Sequence, residues 1–327
     1  MFSKHHVRII GVPMGLGGQR RGASLGPDAL RLAGIAEQIA PYVESVFDGG
    51  NVCETSNQPG AVRGEGLGFF DEVLANLVEV RETVASAIGP NSIPVVLGGD
   101  HSIEMATVPA AVAASPEPLG VLWIDAHGDI NTPDTSPSGN LHGMVLAAVC
   151  GMPCGQVSEV VRAQWQRLLD GIAPNHDFLD PARLVWLGLR DVDRGEAETI
   201  SAIEPRNAIS MHEVDRYGIG PMAEQAISRL KQVGAKRLWI SFDADVLDPQ
   251  IAPGTGTKVR GGLSYREAHL LAEILHETLR SEDPPFELVG VKIAEVNPIL
   301  DQQNATATLC VEWLSSLFGK RILPAWD

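Results

Sequence analysis

"VLWIDAHGDINTP", residues 121–133, decides how this chain is read. Val121 to Ile124 is an apolar run suited to a buried strand, and it ends in Asp125, His127 and Asp129. Strand side chains alternate faces with a period of two, so an extended chain aims all three polar groups the same way. Two carboxylates and an imidazole crowded on one face repel and lose hydration. Something must offset that cost. The same pattern returns in "KRLWISFDADVLDP" (236–249), with Asp243 and Asp245 two apart, and "IPVVLGGDHS" (93–102) ends in His101.

Further short apolar runs occur in "VRIIGVPMG" (7–15), "RLVWLGLRDVD" (183–193), "NAISMHEVD" (207–215) and "LVGVKIAEVNP" (288–298), each closing in a polar or glycine-bearing turn. Helical patterns lie between them. Phe70, Val73, Leu74, Leu77, Val80 and Val84 recur at helical spacing. A second helix is bracketed by Pro221 and Gly234. A third opens at a Ser264/Glu267 capping box. "NATATLCVEWLSSLFG" is the last, and residues 155–180 are expected to hold a helix plus loop. Strands alternating with helices imply βαβ units: an α/β fold of three layers, α/β/α, around a mostly parallel central sheet. No repeat or linker divides the chain, so residues 1–327 are read as one domain. Ligands of such sheets bind beyond the carboxyl ends of the strands, where the acids lie.

Composition narrows the function. The net charge of −16 argues against nucleic acid and anionic membrane as partners. No run approaches the roughly 18 apolar residues of a membrane span, and "MFSKHHVRII" has no signal-peptide core. The four cysteines are scattered, and Cys150 and Cys154 have no second pair nearby to complete a zinc site. Reduced thiols in a cytoplasmic protein are expected.

Taken together, His101, Asp125, His127, Asp129, Asp243 and Asp245 offer four carboxylates and two imidazoles. That is too many for one divalent ion and suits two, whose four positive charges cancel the carboxylates. A water bridging two such ions loses a proton near neutral pH. Oxygen and nitrogen ligands without thiolate suit Mn²⁺, though Co²⁺, Ni²⁺ and Zn²⁺ are also chemically compatible. A lone Asp at a strand end would simply cap a turn. Asp248, before Pro249, is read that way, and Asp100 as orienting a ligand from behind.

"GGDHS", "DAHGDINTP", "SGNLHG" and "SFDADVLDP", in this order and spacing, resemble the ureohydrolase superfamily, and within it the arginases. The resemblance runs from "GVPMGLGGQRRGASLGPDALR" to "AEVNP". It implies an α/β fold with a binuclear Mn²⁺ cluster, two ions per subunit. His101, Asp125, Asp129 and Asp243 would hold one ion and Asp125, His127, Asp243 and Asp245 the other, with Asp125 and Asp243 bridging. Glu295 would hold a guanidinium group, Asp129 and His142 would handle protons, and Thr257 would line the site. Asn131 and Ser138, with Ser136 nearby and Asn140 in the same loop, would meet a substrate carboxylate. Asp193, assisted by Glu196 and near Asp191, would meet an ammonium.

The resemblance implies hydrolysis of L-arginine to L-ornithine and urea, by a homo-oligomer of three or six subunits. Agmatinase or guanidinobutyrase activity, a binuclear metallophosphoesterase and a catalytically silent metal-binding protein are the alternatives. The departures from the arginase pattern lie in the loops: Ser136 where threonine is common, Pro137, Asp134, Arg194 in place of proline, and Gly254 and Thr255.

Overall fold

The computed structural model describes residues 2–18, 20–53, 66–321 and 323. Among them, eight strands form one sheet. They are β1 (Phe2–Val12), β2 (Val43–Asn51), β3 (Ser92–Gly98), β4 (Leu119–Ile124), β5 (Leu184–Leu189), β6 (Ala208–Ser210), β7 (Arg237–Asp243) and β8 (Glu287–Ala294). Their order is β2-β1-β3-β8-β7-β4-β5-β6, and every adjacent pair is parallel.

Each face of the sheet carries its own apolar core. Helices Gly26–Leu32, Ile219–Gln232, Tyr265–Leu279 and Ala305–Phe318 pack on one face. Helices Phe70–Ala87, Glu104–Ala113 and Glu159–Ile172 cover the other. The three-layer expectation therefore holds. β4, β5 and β7 are buried along their whole length, because a central parallel strand has a helix layer on both sides. The capping box at Ser264 and Glu267 forms as anticipated, and Gly234 ends its helix with φ +75°.

Three expectations change. β2 was not anticipated. It is an edge strand with β1 as its one neighbour, is mostly exposed, and runs through Asp48, Gly49 and Gly50, so it has neither an apolar run nor an alternating one. "NAISMHEVD" is a strand only over Ala208–Ser210. Ser210 then caps helix Met211–Tyr217 through a box with Glu213, a signal the sequence carried. Finally, Asp125, His127 and Asp129 do not share a strand face. β4 stops at Ile124, and Asp129 sits at φ +48°, in the left-handed region. A turn, not an extended strand, brings the three together.

The sheet order positions the site. Four adjacent central strands end in functional turns: β3 leads to His101, β8 to Glu295, β7 to Asp243 and Asp245, and β4 to Asp125, His127 and Asp129. β5, next to β4, leads to Asp191, Asp193 and Glu196.

Candidate metal centre

Two groups of ligands converge here. His101, Asp125 and Asp243 present donor atoms within 4.8 Å of one another, and so do Asp125, His127 and Asp245. Asp125 belongs to both. His101 Nδ1 lies 2.8 Å from Asp243 Oδ2 and 3.1 Å from both Asp125 Oδ2 and Asp129 Oδ2. His127 Nδ1 lies 3.0 Å from Asp245 Oδ2 and 3.5 Å from Asp125 Oδ1. Asp129 therefore adjoins the first group. Asp243 meets the first group through Oδ2, while its Oδ1 accepts the Asp245 N–H at 2.7 Å.

The local chain explains how these groups are held. Asp125 Oδ1 accepts the His127 N–H at 2.7 Å, so each acid pins the residue two places on, as Asp243 does. Trp186 on β5 donates its indole N–H to the Gly128 carbonyl at 3.0 Å and steadies the β4 turn. Thr257 Oγ1 donates to Asp245 Oδ2 at 2.7 Å, the position the sequence suggested near the site.

The donor set fits metal ions. His101 Nδ1 and Asp125 Oδ2 are buried and, though only 3.1 Å apart, make no aligned hydrogen bond among the described residues. Such orphans are costly unless something else satisfies them. Their electrostatics agree. Burial pushes Asp243 well above the usual carboxylate range, with the charges of Asp245 and Asp125 adding to it. Asp129 is raised by burial and by Asp125. Burial opposes charge on His127, yet Asp245 and Asp125 outweigh it and hold the ring protonated. The ion-free cluster therefore keeps protons that bound cations would replace.

Around the ligands lies a cavity of about 270 Å³ lined by His101, His127, Asp129, Asn131, Ser136, Ser138, His142, Asp191, Asp193, Glu196, Asp243, Asp245, Thr257 and Glu295, with Pro137 and Gly143. Asn140 is not there. It borders a neighbouring cavity beside Gly17, Gly18 and Phe69, just before the 3₁₀ turn Leu141–Met144. Asp125 lies beneath the cavity wall rather than on it.

Glu295, at φ +60°, accepts the His101 N–H at 2.9 Å and lies 3.5 Å from His142 Nδ1. At the other end, Asp193 caps helix Arg194–Ala202 in a capping box with Glu196. It also accepts the Asn131 amide at 2.7 Å, while Thr135 Oγ1 donates to Asn131 Oδ1 at 2.7 Å. Burial and the Asp129 charge push Glu196 up to about 8. Ser136 Oγ accepts the Gly139 N–H at 3.0 Å, which leaves the hydroxyl its donor.

Three contributors were not singled out from the sequence. Ser241 Oγ lies 3.2 Å from His101 Nε2, so it fixes which ring nitrogen faces the ligand groups. Ser241 precedes Asp243 by two on β7, and strand alternation pointed to it. Trp123 stacks flat on His101, with ring centroids 4.3 Å apart and planes within 5°. The Arg190 guanidinium donates to the carbonyls of Asp245, Val246, Leu247 and Val259 and ties the β7 turn down. Asp100 holds backbone rather than a ligand: it accepts from Gly17, Gly18 and Ser102 N–H groups. Asp248 fixes a turn as read, through the N–H groups of Gln250, Gly261 and Gly262.

A parallel sheet with paired carboxylate and imidazole groups at the ends of its central strands defines an α/β protein with a candidate two-ion metal site. The sequence model described as the Arginase family matches residues 5–319, and the chain belongs to that family. It is 39% identical over 328 residues to the arginase of Bacillus caldovelox, covering 97% of this chain and 99% of that one. The crystal structure of arginase from Bacillus subtilis superposes with a TM-score of 0.83 at 36% identity, over 98% of this chain and all of the other. The arginase of Entamoeba histolytica in complex with L-ornithine superposes with a TM-score of 0.83 at 28% identity, over 97% of this chain and all of that one. No helix among the described residues is long and apolar enough to cross a membrane. All four cysteines are unpaired thiols, Cys154 and Cys310 buried and Cys53 and Cys150 partly so.

Proposed function

We propose that this chain hydrolyses the guanidinium group of L-arginine to give L-ornithine and urea, using two Mn²⁺ ions. The observation that carries the reading is one cavity with the two ligand groups, Glu295 beside them, and an acid-and-amide cluster of Asn131, Asp193 and Glu196. His101, Asp125, Asp129 and Asp243 would hold one ion and Asp125, His127, Asp243 and Asp245 the other. When bound, the ions supply an activated water and stabilise developing negative charge.

The chain's own groups supply the rest. Glu295 receives the guanidinium through paired charge-assisted hydrogen bonds, which lines its carbon up for attack. His142, against Glu295, holds a proton that can pass to the departing amine, and Asp129 relays the proton given up by the attacking water. At the far end, Asn131, Ser136 and Ser138 donate to the α-carboxylate, and Asp193 with Glu196 receives the α-ammonium, Asp191 lying at the rim. The L-ornithine bound in the Entamoeba histolytica arginase supports an α-amino acid as ligand. No Lys or Arg lines this cavity among the described residues, and Arg20 and Lys258 line an adjoining one that shares His127, Asp191 and Thr257.

The reading includes one domain over residues 1–327, a cytoplasmic location, and a homo-oligomer of three or six subunits, measurable by light scattering. The deciding experiment is urea release from arginine, agmatine and 4-guanidinobutyrate by Mn²⁺-loaded protein, alongside elemental analysis. Preference for agmatine, or silence toward all three with two ions bound, would replace the reading.

A further inference from the structure

Behind the ligand groups lies an ion pair with no access to water. Lys292 on β8 and Glu104 at the start of helix Glu104–Ala113 are both 0% exposed, with Nζ 3.7 Å from Oε1. As a source of stability the pair is poor. Lys292 Nζ makes no hydrogen bond among the described residues. Burying two charges forfeits the hydration of both before their attraction is counted, and apolar residues of equal volume commonly serve as well or better. The placement of both charges suggests another role.

The sheet register sets Lys292, Ser241 and Trp123 side by side in one row across β8, β7 and β4. His101 lies on that row: Ser241 meets its Nε2 and Trp123 its ring face. Lys292 Nζ is 5.5 Å from the Trp123 ring centroid, within reach of a cation–π attraction. Glu104 follows His101 by three residues, directly after the 3₁₀ turn His101–Ile103. Its carboxylate reaches back to the sheet, accepting the Trp239 indole N–H at 3.2 Å as well as facing Lys292, and it also takes the Thr107 hydroxyl. Gly290, opposite Trp239 in register, makes the room, since a Cβ there would collide with the Trp239 ring. Lys292 thus bears on the surface beneath the His101 ring, and Glu104 on the backbone that carries it.

We propose that the Lys292–Glu104 pair positions His101, holding its imidazole flat on Trp123 so that Nδ1 faces the ligand groups. Both residues are positioning residues; neither touches the cavity. The inference rests on the reading of His101 as a ligand of one ion. The loss of such a support weakens metal binding by about 10–100-fold, and here the loss falls on one ion of the two.

The test titrates metal-free protein with Mn²⁺, following free Mn²⁺ by electron paramagnetic resonance and heat by calorimetry. The variants are Lys292→Met and the double Lys292→Met with Glu104→Gln. The double removes both charges yet keeps an acceptor for Trp239, so it stays interpretable where an unpaired Glu104 unfolds the single variant. In the double variant one ion is expected to bind about 10–100-fold more weakly and the other within about twofold of the parent. The His101 ring-proton resonances, displaced by the Trp123 ring beneath, are expected to move toward ordinary imidazole positions. Two ions held as tightly as in the parent would overturn the proposal, and so would equal weakening of both, which marks general loosening. A parent that binds two ions but releases no urea from arginine would sink the functional reading and leave this inference standing.

Discussion

Replacing Glu295 by glutamine separates charge from shape at the centre of the site. The carboxylate accepts the His101 N–H and faces His142 Nδ1. Burial alone would push the His142 imidazole down. The hydrogen bond and charge of Glu295, then the charges of Asp129 and Asp100, outweigh it and raise the ring from 6.5 to about 9. Each tenfold change in proton affinity is worth about 1.4 kcal/mol, so that rise corresponds to roughly 3 kcal/mol in favour of the imidazolium. Glutamine keeps the shape and an acceptor for His101 but loses the charge. In metal-free Glu295→Gln protein, His142 is expected to titrate about two pH units or more below the parent.

The stability consequence has a definite sign. A histidine raised on folding stabilises the native state in full below about 6.5, and that contribution is lost as pH rises through about 9. Glu295 is held below its usual range, because His142 outweighs the upward push of burial, so the same interaction is also lost in strong acid. The stability gap between parent and variant should therefore be widest near pH 6 and close by about pH 10. Histidine-resolved magnetic resonance gives the titration, and urea unfolding of metal-free protein at several pH values gives the gap. A variant whose His142 still titrates near 9, or a gap that does not change with pH, would refute the argument.

Mn²⁺ uptake by the metal-free protein should release protons and weaken as pH falls, because His127 and the raised carboxyls of Asp129 and Asp243 hold protons that the ions displace; calorimetry in buffers of different ionisation enthalpy reads this, and uptake without proton release would contradict it. Asp193→Ala should cost about 1 kcal/mol of stability through the lost helix cap and raise KM for arginine about tenfold, as one charge-assisted contact implies. Asp193→Asn should restore the cap but not KM, so a restored KM would show that the charge is not used. Gly17→Ala would drive a Cβ into Ser102 Oγ and toward Asp100, disturbing the loop whose carbonyl accepts the His142 N–H at 3.1 Å. It should cost about 1–3 kcal/mol and lower kcat more than KM, and unchanged stability by thermal unfolding would count against that clamp.

Much of this molecule can be read from the chain as text. Buried parallel strands are continuous apolar runs, so β3, β4, β5, β7 and β8 announce themselves, and each ends where the polarity changes. The ligand set was legible for a related reason: D-x-H-x-D and D-x-D are too charged for buried strand ends unless something cancels them. β2 was hidden because an edge strand with one exposed face needs no such run. Which acids meet was decided by the sheet order. It sets β8 and β7 between β3 and β4, and so brings His101 against Glu295 across 194 residues. The turn at Asp129, the departure of Asn140 from the cavity and the support of His101 by Ser241 and Trp123 likewise depend on contacts between distant segments. Local patterning reports how a residue is buried. It does not report what lies beside it, because neighbours in a parallel sheet are set by long-range crossovers.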